Sequence, residues 1–274
     1  MRVTRFPTIP YCLCSREHGC AFIAVALFAA FLLVSFGIHA QTPAFGQQPR
    51  HPVLIELFTS EGCSDCPPAD TLLAQLDATQ FVPSAEAIIL SEHITYFNYL
   101  GWQDPFSSET MTERQKAYSR ELGLGDVYTP QMVVDGTQQF VGSDSAKLRA
   151  ALAKAALMPK IDLQIAAARR LPDGALEFSV RAPQSANATL LAAVALSKAT
   201  SPVKHGENAG RMLNHVAVAQ AIKDFGSAAT DGRTLHFTAS ELVNANKSGT
   251  QLRLVVFLAD RRGHVVGAAE KLLD

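Results

Sequence analysis

Apolar positions form short continuous runs up to about residue 158 and alternate with polar positions beyond it. Val53–Phe58 (VLIELF) is bounded by Pro52 and Thr59-Ser60, which predicts a buried strand of a parallel or mixed sheet. Ala69–Leu76 switches to helical spacing, with Leu72, Leu73 and Leu76 on one face. Ala87–Leu90 predicts a second buried strand. Thr110–Leu122 predicts a helix, with Thr110 and Glu113 at capping-box spacing and Gly123 as the stop. Gln131–Val134 and Gln138–Val141 predict a hairpin closed by Asp135-Gly136. Ser143-Asp144 predicts the cap of a helix that runs to Leu157. The order is β-α-β-α-β-β-α.

Past Pro159, strands are predicted at Ile161–Ala167, Ala175–Arg181, Thr189–Leu196, Thr234–Ala239 and Leu252–Ala259. Turn chemistry marks Leu171–Gly174, Asp231-Gly232 and Arg262-Gly263. The expectation is an α/β unit with a helical insertion over 53–158, then a small all-β, sandwich-like domain over 160–274.

The N-terminus follows other rules. Arg2, Arg5 and Arg16 precede 18 uncharged residues, 21–38, the pattern of a secretory signal or an N-terminal membrane anchor spanning 1–40. Residues 41–52 (QTPAFGQQPRHP) predict a linker. Either outcome puts the rest of the chain in the periplasm or outside the cell, with membrane attachment only through the N-terminal segment. Composition narrows the classes: 48% of residues are hydrophobic and 18% charged, which excludes a disordered chain. A net charge of −1 offers no basic surplus for a nucleic-acid backbone. Of five cysteines, Cys12, Cys14 and Cys20 lie in the export segment, and Cys63 and Cys66 are the pair left to an oxidising compartment.

Cys63-Ser-Asp-Cys66 follows a buried strand and opens a helix. A helix N-terminus stabilises a thiolate through its unpaired amides and dipole. That makes Cys63 the candidate nucleophile and Cys66 the resolving thiol. The competing reading is a static disulfide; zinc would need a second ligand pair, which the remaining chain lacks. Thr129-Pro130 opens the third strand of the first unit, where a cis peptide would explain the proline. Glu56 lies inside an apolar strand, where an acid either finds a partner or shifts its pKa.

Over residues 51–158 this combination resembles the thioredoxin superfamily. That resemblance implies a cis-Pro130 packed beside the cysteines to bind an extended substrate chain, and a proton-moving role for Glu56. Four blocks are similar to a narrower family of secreted thioredoxin-like proteins catalogued as domain of unknown function 1223. They are Glu56–Asp70 (ELFTSEGCSDCPPAD), His93–Phe106 (HITYFNYLGWQDPF), Tyr128–Gly136 (YTPQMVVDG) and Gly206–His215 (GENAGRMLNH). Thr95 and Asn98 stand where the family commonly has acids, and Phe97 where it has Trp. The family brings no established reaction.

The function expected is a thiol-disulfide oxidoreductase acting on protein or peptide disulfides, without an organic cofactor. If it works reductively, a membrane electron donor is implied. Thr129, Trp102 and Tyr96 are candidate substrate contacts; the aromatics around Trp102 otherwise form a satellite core under a loop. Arg211 and His215 are a candidate anion or partner site. Two rivals stand: Cu(I) bound by Cys63, Cys66 and His93, and a redox-inert binding module.

Overall fold

The structure is a computed structural model describing residues 50–183, 188–227, 233–242, 245 and 251–273. The predicted export segment with its three cysteines, linker residues 41–49 and the Asp231-Gly232 turn lie outside these residues. Among the described residues, no helix is long and apolar enough to cross a membrane.

The first strand, β1 (His51–Thr59), runs parallel to β2 (Ala85–His93) and antiparallel to β3 (Gln131–Val134), which pairs with β4 (Gln138–Val141). At the β3–β4 turn, Asp135 (φ 48°) and Gly136 (φ 65°) are both left-handed, and Val134 pairs with Gln138 across the three-residue loop 135–137. Three α-helices are interleaved: α1 (Pro67–Thr79), α2 (Glu109–Glu121) and α3 (Ser145–Ala155). Helix α2 is capped by Ser108, whose Oγ accepts from the Met111 amide, and not by Thr110. Ser108 has the extended backbone a cap needs, whereas Thr110 is already inside the helix. Asp144 caps α3 by accepting from the Lys147 amide at 3.0 Å.

The second half holds β5 (Gln164–Arg170), β6 (Leu176–Arg181), β7 (Thr189–Pro202), β8 (Met212–Ser227), β9 (Thr234–Phe237), β10 (Leu252–Ala259) and β11 (Val265–Leu273). Here the expected fold class is overturned. The molecule is mostly β: an eight-stranded mixed sheet ordered β11-β10-β7-β8-β2-β1-β3-β4, and a three-stranded sheet ordered β5-β6-β9. It is not an α/β thioredoxin-like unit followed by a separate β sandwich. The physical reason is β8, which pairs in parallel with β2 through Ser91 and Val218 and antiparallel with β7 along its length. The first four strands would otherwise end at an open β2 edge; β8 closes it and carries the sheet into the C-terminal half. Gln48–Asp274 is accordingly one compact unit.

Strand parity places the layers. Val53, Ile55 and Leu57 face α1 and α3, packing with Leu72, Leu73, Leu76, Leu148 and Leu152. Leu54 packs with Met111 of α2, and Phe58 with Tyr118 of the same helix. The small sheet closes a third cluster, in which Phe178 and Phe237 pack with Leu190, Val194, Leu254 and Val256. Each fully buried side chain of this kind contributes about 1.5–3 kcal/mol. Across the two halves, Arg253 of β10 clamps Asp77 of α1 with two bonds of 2.7 Å.

Candidate functional site

The loop from β1 into α1 holds Cys63 and Cys66, which are disulfide-bonded with Cα atoms 5.4 Å apart. Gly62 permits the close turn, because a Cβ there would come within 3.1 Å of the Phe97 carbonyl oxygen. Cys66 caps α1, and Pro67 and Pro68 fill its first turn. Prolines carry no amide hydrogen, so this helix start has fewer free N–H donors than most. Both cysteines are buried, Cys63 at 3% exposure and Cys66 at 0%, whereas Ser64 and Asp65 between them face solvent.

Around the pair lies a buried polar cluster drawn from both halves of the chain. Glu61 accepts from Trp102 Nε1 at 2.7 Å and Ser201 Oγ at 3.1 Å, and its other oxygen lies 3.3 Å from His215 Nε2. His215 Nδ1 faces Asp70 Oδ2 at 3.6 Å, and Asp70 Oδ1 accepts from Thr59 Oγ1 at 3.0 Å. Asp70 stands one helical turn beyond Cys66, so the two side chains share a face of α1. Burial alone would lower the His215 pKa, but hydrogen bonding and charge from Asp70 and Glu61 push it up to about 9. His215 is therefore a buried cation at neutral pH.

A second pair abuts this one. His93 Nδ1 lies 2.7 Å from Asp104 Oδ2, and the rings of His93 and His215 meet edge to face at 4.7 Å. Burial works to raise the Asp104 carboxyl, but His93 and the amides of Glu61 and Phe106 hold it below the usual range. Asn208 completes the enclosure: its Nδ2 donates to the carbonyls of both Glu61 and Cys63 at 2.9 Å.

The candidate residues read from the sequence separate into groups. Trp102 joins the cluster through Glu61. The Thr129–Pro130 peptide is cis. Pro130 is buried on the α1 face, where a Cβ built on Gly142 would meet both Pro130 and Ala69 at 3.1 Å. Thr129 Oγ1 is buried without a hydrogen-bond partner. Tyr96 donates to Gln115 Oε1 at 3.0 Å and packs with Phe97 against the Phe58–Tyr118 cluster. Burial raises its phenol to about 12.

Glu56 is not brought to the cysteines. It shares parity with Leu54 and Phe58, and so lies on the α2 face of the sheet. There it binds Arg114 and accepts from the Tyr118 hydroxyl at 2.5 Å. Glu92 sits in the same cluster with both oxygens unbonded and Arg114 Nε at 3.7 Å. Burial first, and the Glu56 charge second, raise the Glu92 carboxyl well above its usual range. The copper set does not form a centre: His93 faces Asp104, and among the described residues no group of three or more His, Cys, Asp or Glu is placed to hold a metal ion.

Glu61, Asp70, Asp104, Ser201 and Asn208 were not singled out by sequence reasoning, although three of the four family-like blocks contain them or border them. The signal available was the density of polar residues in blocks that otherwise read as turns. Arg211, expected beside His215 in an anion site, instead donates to Asn208 Oδ1 at 2.7 Å.

No curated protein matches the sequence. The fold is similar to an X-ray crystal structure of a structural-genomics target protein from Agrobacterium tumefaciens, with 26% identity and a TM-score of 0.63, covering 81% of this chain and 95% of that one. It is also similar to HBP35 of Porphyromonas gingivalis, with 15% identity and a TM-score of 0.57, covering 82% and 76%. The family described as "Protein of unknown function (DUF1223)" matches residues 54–259, and the chain belongs to that family.

Proposed function

We propose that this protein is a thiol-disulfide oxidoreductase acting on protein or peptide substrates. The observation that carries the reading is the Cys63–Cys66 disulfide at the head of α1, set against a buried cluster of carboxylates and imidazoles. A merely structural disulfide has no need of ionisable neighbours that are costly to bury.

In the reduced protein, the Cys63 thiolate attacks one sulfur of a substrate disulfide. That S–S bond breaks, and the departing substrate sulfur leaves as a thiolate and takes a proton. Cys66 then attacks Cys63 Sγ, the mixed disulfide breaks, and the second substrate thiol is released. Two electrons pass to the substrate, and the protein returns to the oxidised form described above. The reverse sequence oxidises a substrate dithiol. Cys66 is fully buried, so its proton needs a buried acceptor and donor. Asp70, one turn along α1 and facing the His215 cation, takes the role expected of Glu56. The basic residues and apolar run of 1–38 support placing this chemistry outside the cytoplasm.

The test is exchange of the pre-reduced protein with a fluorescent peptide disulfide, with dithiothreitol as the reductant that regenerates the dithiol. Wild type turns it over, Cys63→Ser abolishes turnover, and Cys66→Ser accumulates a mixed disulfide at Cys63. Absence of exchange in wild type, or equal rates in wild type and Cys63→Ser, would overturn the reading.

A further inference from the structure

The β7–β8 connection, residues 203–211, folds back over the turn that precedes the disulfide. Gly206 (φ 78°) lies against Trp102, whose Cβ would be 3.2 Å from a Cβ at this position. Asn208 anchors the connection to the Glu61 and Cys63 carbonyls. The neighbouring Glu207 is exposed, and its Oε2 accepts from the Ser64 backbone N–H at 3.0 Å. Ser64 directly follows Cys63 in the turn that leads into the helix, so Glu207 is held beside the first cysteine.

The charges around the disulfide differ in kind. Glu61 and Asp70 face the His215 cation, and Asp104 faces His93. Glu207 has no ion-pair partner among the described residues, and neither does Asp65, the other exposed acid of the rim. Of the cations in the same connection, Arg211 is held by Asn208 and Lys204 is exposed. A thiolate approaching Cys63 therefore meets an uncompensated carboxylate held beside it.

We infer that Glu207 is a specificity-determining residue for exchange at Cys63, selecting against anionic thiols and in favour of neutral or cationic ones. The inference rests on the oxidoreductase reading. In the step concerned, an incoming thiolate RS⁻ attacks Cys63 Sγ, the Cys63–Cys66 bond breaks, and Cys66 leaves as a thiolate and is protonated. A second RS⁻ attacks the mixed disulfide, releasing RSSR and the Cys63 thiol. Two electrons pass from two thiols to the protein. In the comparison of variant with wild type the intrinsic reactivity of each thiolate cancels, which leaves the charge carried by R as the difference.

The experiment uses the oxidised full chain and three reagents at matched thiolate concentration: 2-mercaptoethanesulfonate, 2-mercaptoethanol and cysteamine. Alkylation and mass spectrometry of the Cys63–Cys66 peptide give the rates. Glu207→Gln should raise the anionic-to-cationic rate ratio by about three- to tenfold at low ionic strength, and about 1 M salt should erase most of that gain. Glu207→Asp, which keeps the charge, should leave the ratio within about twofold of wild type. An unchanged ratio in Glu207→Gln, or one common rate change for all three reagents, would overturn this inference alone. A wild-type disulfide inert to every reagent would overturn the oxidoreductase reading and this inference together.

Discussion

Two buried polar clusters flank β1 and β2, one on each face, and they are built from similar residue types with different results. On the α1 face, Glu61 and Asp70 share the His215 cation, and neutral donors from Trp102, Ser201 and Thr59 satisfy their remaining oxygens. On the α2 face, Glu56 and Glu92 share the single cation Arg114, and Glu56 holds the closer contacts. Burial first and the Glu56 charge second raise the Glu92 carboxyl well above its usual range, against the weaker pull of Arg114. The contrast shows that burial alone does not set the state of a carboxyl; the number of cations and donors per acid does. It also separates a cluster beside the Cys63–Cys66 disulfide from one that fastens a helix to a sheet.

The comparison breaks most sharply at Arg114. Arg114→Met leaves two buried acids without their cation and should cost about 3–5 kcal/mol in chemical denaturation. A loss under about 1 kcal/mol would mean that water reaches this face. His215→Gln tests the other face and should cost about 3 kcal/mol at low pH. The sign follows from the raised pKa: the stabilisation is complete below the ordinary value of 6.5 and is lost as pH rises through about 9. The gap between wild type and variant should therefore close over that window, and a gap constant with pH would show that His215 carries no charge. The smallest effect is expected at Glu92. Glu92→Gln mimics the protonated acid and should raise stability by about 1 kcal/mol at neutral pH. Because the folded pKa is raised, that gain should vanish below the ordinary 4.5. A variant less stable than wild type at pH 7 would show that Glu92 is ionised and paired.

The local elements of the first half could be read from the sequence, but the fold class could not. The strand-loop-helix setting of Cys63 and Cys66, the Asp135-Gly136 hairpin and the Asp144 cap depend on local chemistry and appear as expected. The strand β8 was not visible. Ala217, Ala219 and Ala221 give it low strand propensity, and Asn214 and His215 made its start look like a turn. Without β8, neither the continuous sheet nor the cation facing Glu61 and Asp70 could be anticipated. Glu56 was misplaced for a different reason: an apolar run buried on both faces does not say which side of the sheet its one acid takes. The α1 helix settles that by packing on Ile55 and Leu57.

The seam between β2 and β8 also imposes an order on assembly. His215 follows Glu61 by 154 positions, and Asn208 follows Cys63 by 145. A chain emerging from its N-terminus exposes both cysteines well before it delivers the residues that shield and charge their surroundings. The pair thus passes through an early, unguarded stage open to any oxidant or thiol at hand. Only the late arrival of β8 and the connection before it turns two accessible sulfurs into an enclosed pair.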